Sequence, residues 1–131
     1  MGEQTVLEIG TITLNWGGWV PWPDILIANR GGAGVYIPNR KPGVYEVKRA
    51  DHDGDERLYI GETGDLRFRV RQGLVKGKAL HPAGTQIREG EDTSRLVVRW
   101  AETYRPACAE EELLRAYRAR FANLPDYNRN T

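Results

Sequence analysis

Two short runs near the middle of the chain have the apolar and β-branched composition of strands, at Gly43–Arg49 and Arg57–Gly61. The polar segment Ala50–Glu56 separates them. It contains Asp53-Gly54, a dipeptide that favours a tight turn because glycine takes a positive φ without steric cost. The pattern therefore predicts a β-hairpin.

Directly after this hairpin the apolar spacing changes from that of a strand to that of a helix. Leu66, Val70 and Leu74 are spaced by four residues, and Asp65 is a candidate N-terminal cap. Arginines flank the apolar stripe on both sides. We expect a basic helix here, with its apolar side against the sheet.

The last third of the chain predicts one more strand and a long helix. Arg95–Ala101 alternates well enough to be the third strand, and Pro106 precedes a helical pattern from about residue 107 to residue 122. The intervening segment Gly73–Thr93 reads as a long loop. We therefore expect an α+β domain in which a three-stranded antiparallel sheet is flanked by helices.

Residues 1–41 are predicted to form a β and irregular extension that packs on a domain made by residues 42–131. Thr5–Leu14 is rich in β-branched residues and predicts a strand. Three tryptophans follow among glycine and proline, at Trp16, Trp19 and Trp22. They suit either a cover over one sheet face or a stacking platform for nucleobases, and a cover is the commoner use of such clusters.

Composition limits the class of protein. The single cysteine, Cys108, excludes an internal disulfide framework and fits a reducing compartment. The N-terminus lacks a signal-peptide pattern, and no apolar run reaches membrane-spanning length, so we expect a cytoplasmic protein. The formal charge of +1 does not indicate a nucleic-acid binder by itself. Basic residues nevertheless cluster in the middle third, where a local patch can bind phosphate.

The two predicted strands each contribute a tripeptide that carries chemistry. Gly43–Tyr45 reads GVY and Tyr59–Gly61 reads YIG, with 13 residues between them. Over residues 42–128 the sequence resembles the GIY-YIG nuclease family, of the small stand-alone type, although the hairpin loop is slightly longer than usual. The family's arginine follows the second tyrosine by ten residues, a position that Arg69 occupies.

Glu110 is conspicuous from helix periodicity alone. The apolar stripe of the last helix consists of Leu113, Leu114, Tyr117 and Phe121. Glu110 falls inside this stripe, Glu111 at its edge and Glu112 outside it. A carboxylate that faces a core is costly unless it is paired or binds a metal ion. The alternative is a solvated acid that favours the positive end of the helix dipole.

The resemblance implies a metal-dependent DNA endonuclease. Tyr45 or Tyr59 would activate the attacking water, Arg69 would neutralise charge on the phosphate, and Glu110 would hold one Mg²⁺ or Mn²⁺ ion. Asn128 follows a proline, as in the family, and would position the end of the helix that carries Glu110. RNA stays open as a substrate, and a non-catalytic binding or interaction module of the same fold is the alternative function.

Two further positions bear on this hypothesis. His81 lies in the predicted loop and by default is solvent-exposed, but some relatives place a histidine after the arginine, near the scissile phosphate. Glu62 stands where several relatives have lysine, so it either weakens the site or assists the metal. The candidate nucleic-acid contacts are Arg67, Arg71, Lys76 and Lys78.

Overall fold

The structure, a computed structural model, describes residues 2–7, 12–27, 35–52 and 54–128. Asp53, half of the predicted turn, lies outside the described residues. The strands in this part of the chain are β1 (Gln4–Leu7), β2 (Ile12–Asn15), β3 (Val20–Pro21), β4 (Gly43–Arg49), β5 (Tyr59–Thr63) and β6 (Leu96–Glu102). The helices are α1 (Trp22–Leu26), a π-helix (Phe68–Val75), α2 (Pro82–Gly90) and α3 (Pro106–Phe121). The protein is α+β, as predicted.

The main sheet is antiparallel, with the strand order β3-β6-β4-β5. The predicted hairpin is confirmed, since β4 pairs with β5 and places Tyr45 opposite Gly61. The predicted count of three strands is wrong because β3 adds a fourth at the edge, where Pro21 needs no second partner. β1 and β2 form a separate two-stranded sheet. The single strand predicted at Thr5–Leu14 is therefore two strands, and residues 8–11 between them lie outside the described residues.

Each face of the main sheet carries its own core, because the side chains of β4 alternate in direction. Tyr45 belongs to the first core, which also holds Ile87 of α2 and the apolar stripe of the π-helix. Val44 belongs to the second core, with Leu14 of β2 and Leu113 of α3. Among the described residues, none of the helices combines the length and apolar character that a bilayer-spanning segment requires.

The tryptophan segment wraps round one edge of the sheet and does not cover a single face. Trp16 is buried in the second core and Trp22 in the first. The ring of Trp19, half-buried between them, lies against the cationic side chains of Lys48, Arg57 and Arg99. The prediction of a cover is correct for the two buried rings, but it assigned them to one face. Residues on both sides of the predicted boundary at position 42 thus share both cores.

The predicted helix after β5 is confirmed, with Leu66, Val70 and Leu74 all buried. Its hydrogen bonds are wider than those of an α-helix, since the Lys76 amide donates to the Arg71 carbonyl five residues earlier. π-Helical turns are rare and frequently occur at functional sites.

The segment Gly73–Thr93 is not the long loop that its sequence predicts, because it contains α2. Pro82 occupies the first turn, where its missing N–H costs nothing, and His81 caps the helix N-terminus. A Cβ atom at Gly84 would lie 3.1 Å from the Leu74 backbone, so glycine allows α2 to approach the π-helix closely. Gly84 lowers the intrinsic helix propensity of α2, but it allows the two helices to pack closely.

Candidate active site

Tyr45 and Tyr59 lie together on the face of the sheet that carries the first core, with their ring centroids 6.0 Å apart. Gly61 lies under both rings. A Cβ atom at Gly61 would stand 2.5 Å from Cζ of Tyr45 and 2.7 Å from Cε2 of Tyr59. The rings therefore pack on bare backbone, and the glycine of the second tripeptide is a steric requirement of the site.

Gly61→Ala should destabilise the protein by about 1–3 kcal/mol, the usual cost of adding a methyl group to a packed site. Gly64→Ala is the matched control, because no atom lies within 4 Å of a Cβ at Gly64. We expect that control to stay within about 0.5 kcal/mol of the wild type. Urea unfolding measures both variants, and equal stabilities for the two would contradict this packing.

His81 stands beside both tyrosines and is only 1% exposed, which corrects the expectation of a solvent-exposed loop residue. Its Nε2 atom lies 2.7 Å from the Tyr45 hydroxyl oxygen. Its ring centroid lies 5.5 Å from that of Tyr59. His81 is buried because it starts α2, a helix that the loop prediction lacked.

The helix cap decides which nitrogen of His81 carries the proton. Nδ1 accepts the amide N–H of Gly84 at 2.9 Å, so the proton of the neutral ring is on Nε2. The Nε2–H group then donates to the Tyr45 hydroxyl oxygen, and the Tyr45 proton stays free for another acceptor. His81 is therefore a hydrogen-bond donor toward Tyr45 and cannot act as its base in this arrangement.

Burial lowers the pKa of His81 from 6.5 to about 4, with help from the positive charges of Arg69 and Arg88. The imidazole is consequently neutral near pH 7. At pH values between about 4 and 6.5, His81 is protonated in the unfolded chain but neutral in the folded protein. Stability that is fully present above pH 6.5 is therefore lost as the pH falls toward 4.

His81→Asn should remove this pH dependence. Asparagine is also a good helix cap, so the variant keeps α2 while it lacks a group that titrates in this range. Between pH 6.5 and 4 we expect the wild type to lose about 3 kcal/mol more unfolding free energy than the variant. Denaturant unfolding across this range tests the difference, and parallel pH profiles for the two proteins would refute it.

The two phenols differ in access to solvent and in the charges near them. Tyr45 is fully buried, and burial raises its pKa well above the ordinary value. The neighbouring Tyr59 raises the pKa of Tyr45 further, whereas the positive charge of Arg69 lowers it. Tyr59 is 7% exposed. Burial and the negative charge of Glu110 raise the pKa of Tyr59, whereas Arg69 lowers it. Arg69 thus favours the phenolate form of both tyrosines, and Tyr59 is the one that solvent reaches.

Arg69 lies on the side of the π-helix that faces the tyrosines. Its Nη1 donates to the Leu80 carbonyl oxygen at 2.8 Å, so it also fixes the segment that leads into His81. Its charge acts on Tyr45, Tyr59 and the His81 ring. The predicted grouping of this arginine with the two phenols is what the structure contains.

Glu110 approaches the same place from the opposite face of the sheet. It is half-buried near the start of α3, and its charge acts on Tyr59. Glu62 follows Ile60 by two residues on β5, so both face the second core, against which α3 packs. Burial raises the pKa of Glu110, and the negative charge of Glu62 raises it further. The two carboxylates therefore form a like-charged pair beside Tyr59.

The buried stripe of α3 differs from the one that periodicity predicts. Ala109 and Leu113 are its buried residues, and the large side chains are only partly covered. Glu112, predicted to lie outside the stripe, has a side chain that is 14% exposed and pairs with Arg115. The prediction gave no weight to alanine, which moves the centre of the stripe so that Glu110 and Glu112 flank it.

Glu110 and Glu62 have the chemistry to hold Mg²⁺ or Mn²⁺. Magnesium prefers oxygen ligands and is commonly held by one or two carboxylates, with water and substrate phosphates completing its shell. In the part of the chain that the structure describes, no group of three or more His, Cys, Asp or Glu side chains could bind a metal ion. Glu110 and Glu62 therefore fit an ion that takes its remaining ligands from water or from a bound anion.

Asn128 is buried at the outer edge of β5. Its Oδ1 accepts the Ile60 amide N–H and its Nδ2 donates to the Ile60 carbonyl oxygen, each at 2.9 Å. These two side-chain hydrogen bonds hold the strand that carries Tyr59, one residue from that phenol. The predicted role of Asn128 at the end of the helix that carries Glu110 stays a prediction.

The four predicted nucleic-acid contacts separate into two groups. Arg67 and Arg71 lie on the side of the π-helix away from Arg69, where they donate to the carbonyl oxygens of Ile37 and Val35. Lys76 and Lys78 directly follow this helix. Sequence reasoning did not single out Phe68, between two of these arginines, or the nearby Arg40. The available signal was an aromatic residue inside the Arg67–Arg69 run.

Comparison of the chain with family models, with curated proteins and with solved structures gives no match. The resemblance to the GIY-YIG family therefore depends on the short motifs and on the way this fold brings them together.

Proposed function

We propose that this protein is a divalent-metal-dependent endonuclease of the GIY-YIG type, which hydrolyses phosphodiester bonds in DNA. The observation that carries the proposal is the convergence on Tyr59 of residues distant in sequence. Tyr45 packs beside it over Gly61, and the charges of Arg69 and Glu110 both act on it. A tyrosine with a cation and an acid beside it suits attack on a phosphate better than it suits a plain core.

In this proposal Tyr59 is the general base. As a phenolate it takes a proton from water, the water oxygen bonds to phosphorus, and the bond to the 3′-oxygen breaks. Arg69 binds the non-bridging phosphate oxygens with its planar guanidinium and offsets the charge that develops there. A divalent ion held by Glu110, with Glu62 beside it, would stabilise the leaving oxygen.

Tyr45 and His81 have supporting roles in this scheme. Tyr45 is fully buried and accepts the Nε2–H of His81, so its hydroxyl proton is available to the Tyr59 oxygen rather than to the imidazole. Such a donor helps to orient the Tyr59 oxygen and stabilises negative charge on it. His81 is thus a positioning residue that acts through Tyr45.

The alternative is a binding module that has kept the fold without catalysis. Two observations favour it: Glu62 replaces the lysine of several relatives, and burial raises the pKa of both tyrosines, which makes a phenolate harder to form. Incubating supercoiled plasmid with the protein in Mg²⁺, Mn²⁺ or EDTA separates the two functions. The nuclease proposal expects nicked and linear products that disappear in EDTA, and a module without catalysis gives none. A parallel digest of RNA tests the other substrate.

A further inference from the structure

A basic groove of about 300 Å³ lies on the side of the π-helix away from Arg69. Its lining includes the side chains of Arg40, Arg67, Phe68, Arg71 and Asp65. Three of these are guanidinium groups, and one is a carboxylate. The groove therefore has an excess of positive charge although the chain as a whole is nearly neutral.

The acid in the groove offsets only one of the three positive charges. Asp65 Oδ1 already accepts the backbone amides of Arg40 and Phe68, at 3.0 and 3.3 Å. Among the described residues, no ion pair joins a carboxylate to any of the three guanidinium groups. Other arginines of this protein, such as Arg49 and Arg115, do have acidic partners. Anions are the natural partners of an arginine cluster left in this state.

The side chain of Arg71 has a hydrogen-bond donor that the described residues of the groove leave unsatisfied. Its Nε atom is buried and has no hydrogen-bond partner within the described part of the chain. Burial lowers the pKa of Arg71, and the neighbouring charge of Arg67 lowers it further. A phosphate group in the groove would offset the repulsion between the two arginines.

Two exposed aromatic rings border the same arginines. Phe68 is 54% exposed, and Tyr36 is 67% exposed. The guanidinium carbon of Arg67 lies 5.5 Å from the centroid of the Tyr36 ring. Nucleobases stack on aromatic and guanidinium planes without regard to sequence, provided that the bases are unpaired.

The exposed rings of Phe68 and Tyr36 favour an unpaired strand over a duplex. The bases of a duplex are stacked on one another inside the double helix, so they present no free face to a ring on the protein surface. Unpaired bases can splay out and stack on such rings.

We propose that this groove binds the unpaired strand of a nucleic acid, with phosphate on Arg67 and Arg71 and bases on Phe68 and Tyr36. This inference rests on the proposed function, and it gives the substrate class: DNA that carries a single-stranded segment next to the cleaved bond. The preference lies in binding, so it can be measured apart from cleavage.

The test is fluorescence anisotropy in EDTA, with a labelled duplex and the same duplex bearing a single-stranded tail. The wild type should bind the tailed probe more tightly. Phe68→Ala should weaken binding of the tailed probe by about tenfold and leave the blunt duplex unchanged. Tyr104→Ala removes another exposed ring, 88% exposed, and should change neither affinity.

Arg71→Ala supplies the second measurement. It should reduce the dependence of tailed-probe affinity on salt by about one phosphate contact, whereas Arg115→Ala should not. Equal binding of both probes by the wild type, or an unaltered tailed-probe affinity in Phe68→Ala, would overturn the groove. A tail preference without cleavage of either the plasmid or the tailed duplex in Mg²⁺ or Mn²⁺ would refute the nuclease and keep the groove. Cleavage without a tail preference would do the reverse.

Discussion

Glu110→Gln should abolish plasmid cleavage, with a loss of roughly 10³-fold or more, while DNA binding largely persists. The substitution keeps the size of the side chain and removes the charge that a hard divalent ion needs. Losing several kcal/mol of charge stabilisation at the leaving oxygen corresponds to a rate change of this size. Nicking rates and probe affinities measured on the same preparation separate catalysis from binding.

Two neighbouring acids make this experiment specific. Glu111→Gln changes an exposed carboxylate on the same helix and should cleave like the wild type. Glu62→Gln removes the like-charged neighbour of Glu110, so it should raise the Mg²⁺ concentration needed for half-maximal activity more than it lowers the limiting rate. Undiminished cleavage by Glu110→Gln would exclude Glu110 from the mechanism.

Arg69→Ala should lower the cleavage rate by on the order of 10²-fold, or about 2.7 kcal/mol of transition-state stabilisation. Arg69 lowers the pKa of both tyrosines, so its removal should also shift the rise of the pH–rate profile to higher pH. The direction follows because Tyr59 acts as a base only when deprotonated, and it would then lose its cation. Single-turnover rates across the alkaline range measure both effects.

Arg69→Lys is the informative companion, since lysine keeps the charge and loses the planar fork. Compared with Arg69→Ala, we expect Arg69→Lys to bring the pH–rate profile back to that of the wild type more fully than it brings back the cleavage rate. Arg115→Ala, an exposed arginine on α3, controls for loss of a positive charge. Because Arg69 also binds the Leu80 carbonyl, unfolding must be followed in parallel. A wild-type rate and pH profile in Arg69→Ala would remove this arginine from the site.

The elements that the sequence predicts well are those whose apolar pattern agrees with their position. β4 and β6 alternate across a sheet that is covered on both faces, and the stripe Leu66, Val70 and Leu74 has the spacing of a helix. Local pattern and tertiary burial point the same way in these segments. The α+β class follows from them.

The parts that could not be predicted depend on contacts between distant residues. α2 contains two glycines, which give this segment a low intrinsic helix propensity. The segment is helical because it packs closely against the π-helix at Gly84. β3 consists of two residues that are strands only because β6 lies beside them. The burial of His81 follows from the formation of α2, and no local feature of the sequence indicates that this histidine caps a helix and contacts Tyr45.

The candidate site was predictable as a set of residues but not as a geometry. The resemblance to the GIY-YIG family picks out both tyrosines and Arg69, and periodicity picks out Glu110. Sequence cannot show that Glu110 arrives from the opposite face of the sheet, or that Glu62 accompanies it there. That arrangement depends on β5 being an edge strand, which is a property of the whole sheet.

The pairing of Asn128 with Ile60 has a consequence for the exposed edge of the sheet. An outermost strand offers open donors and acceptors that can recruit the same strand of another copy. Here one amide side chain, brought back by the last described turn of the chain, occupies both backbone groups of Ile60. At the residue beside Tyr59, the edge of the sheet therefore has no free backbone groups to pair with a strand of another copy.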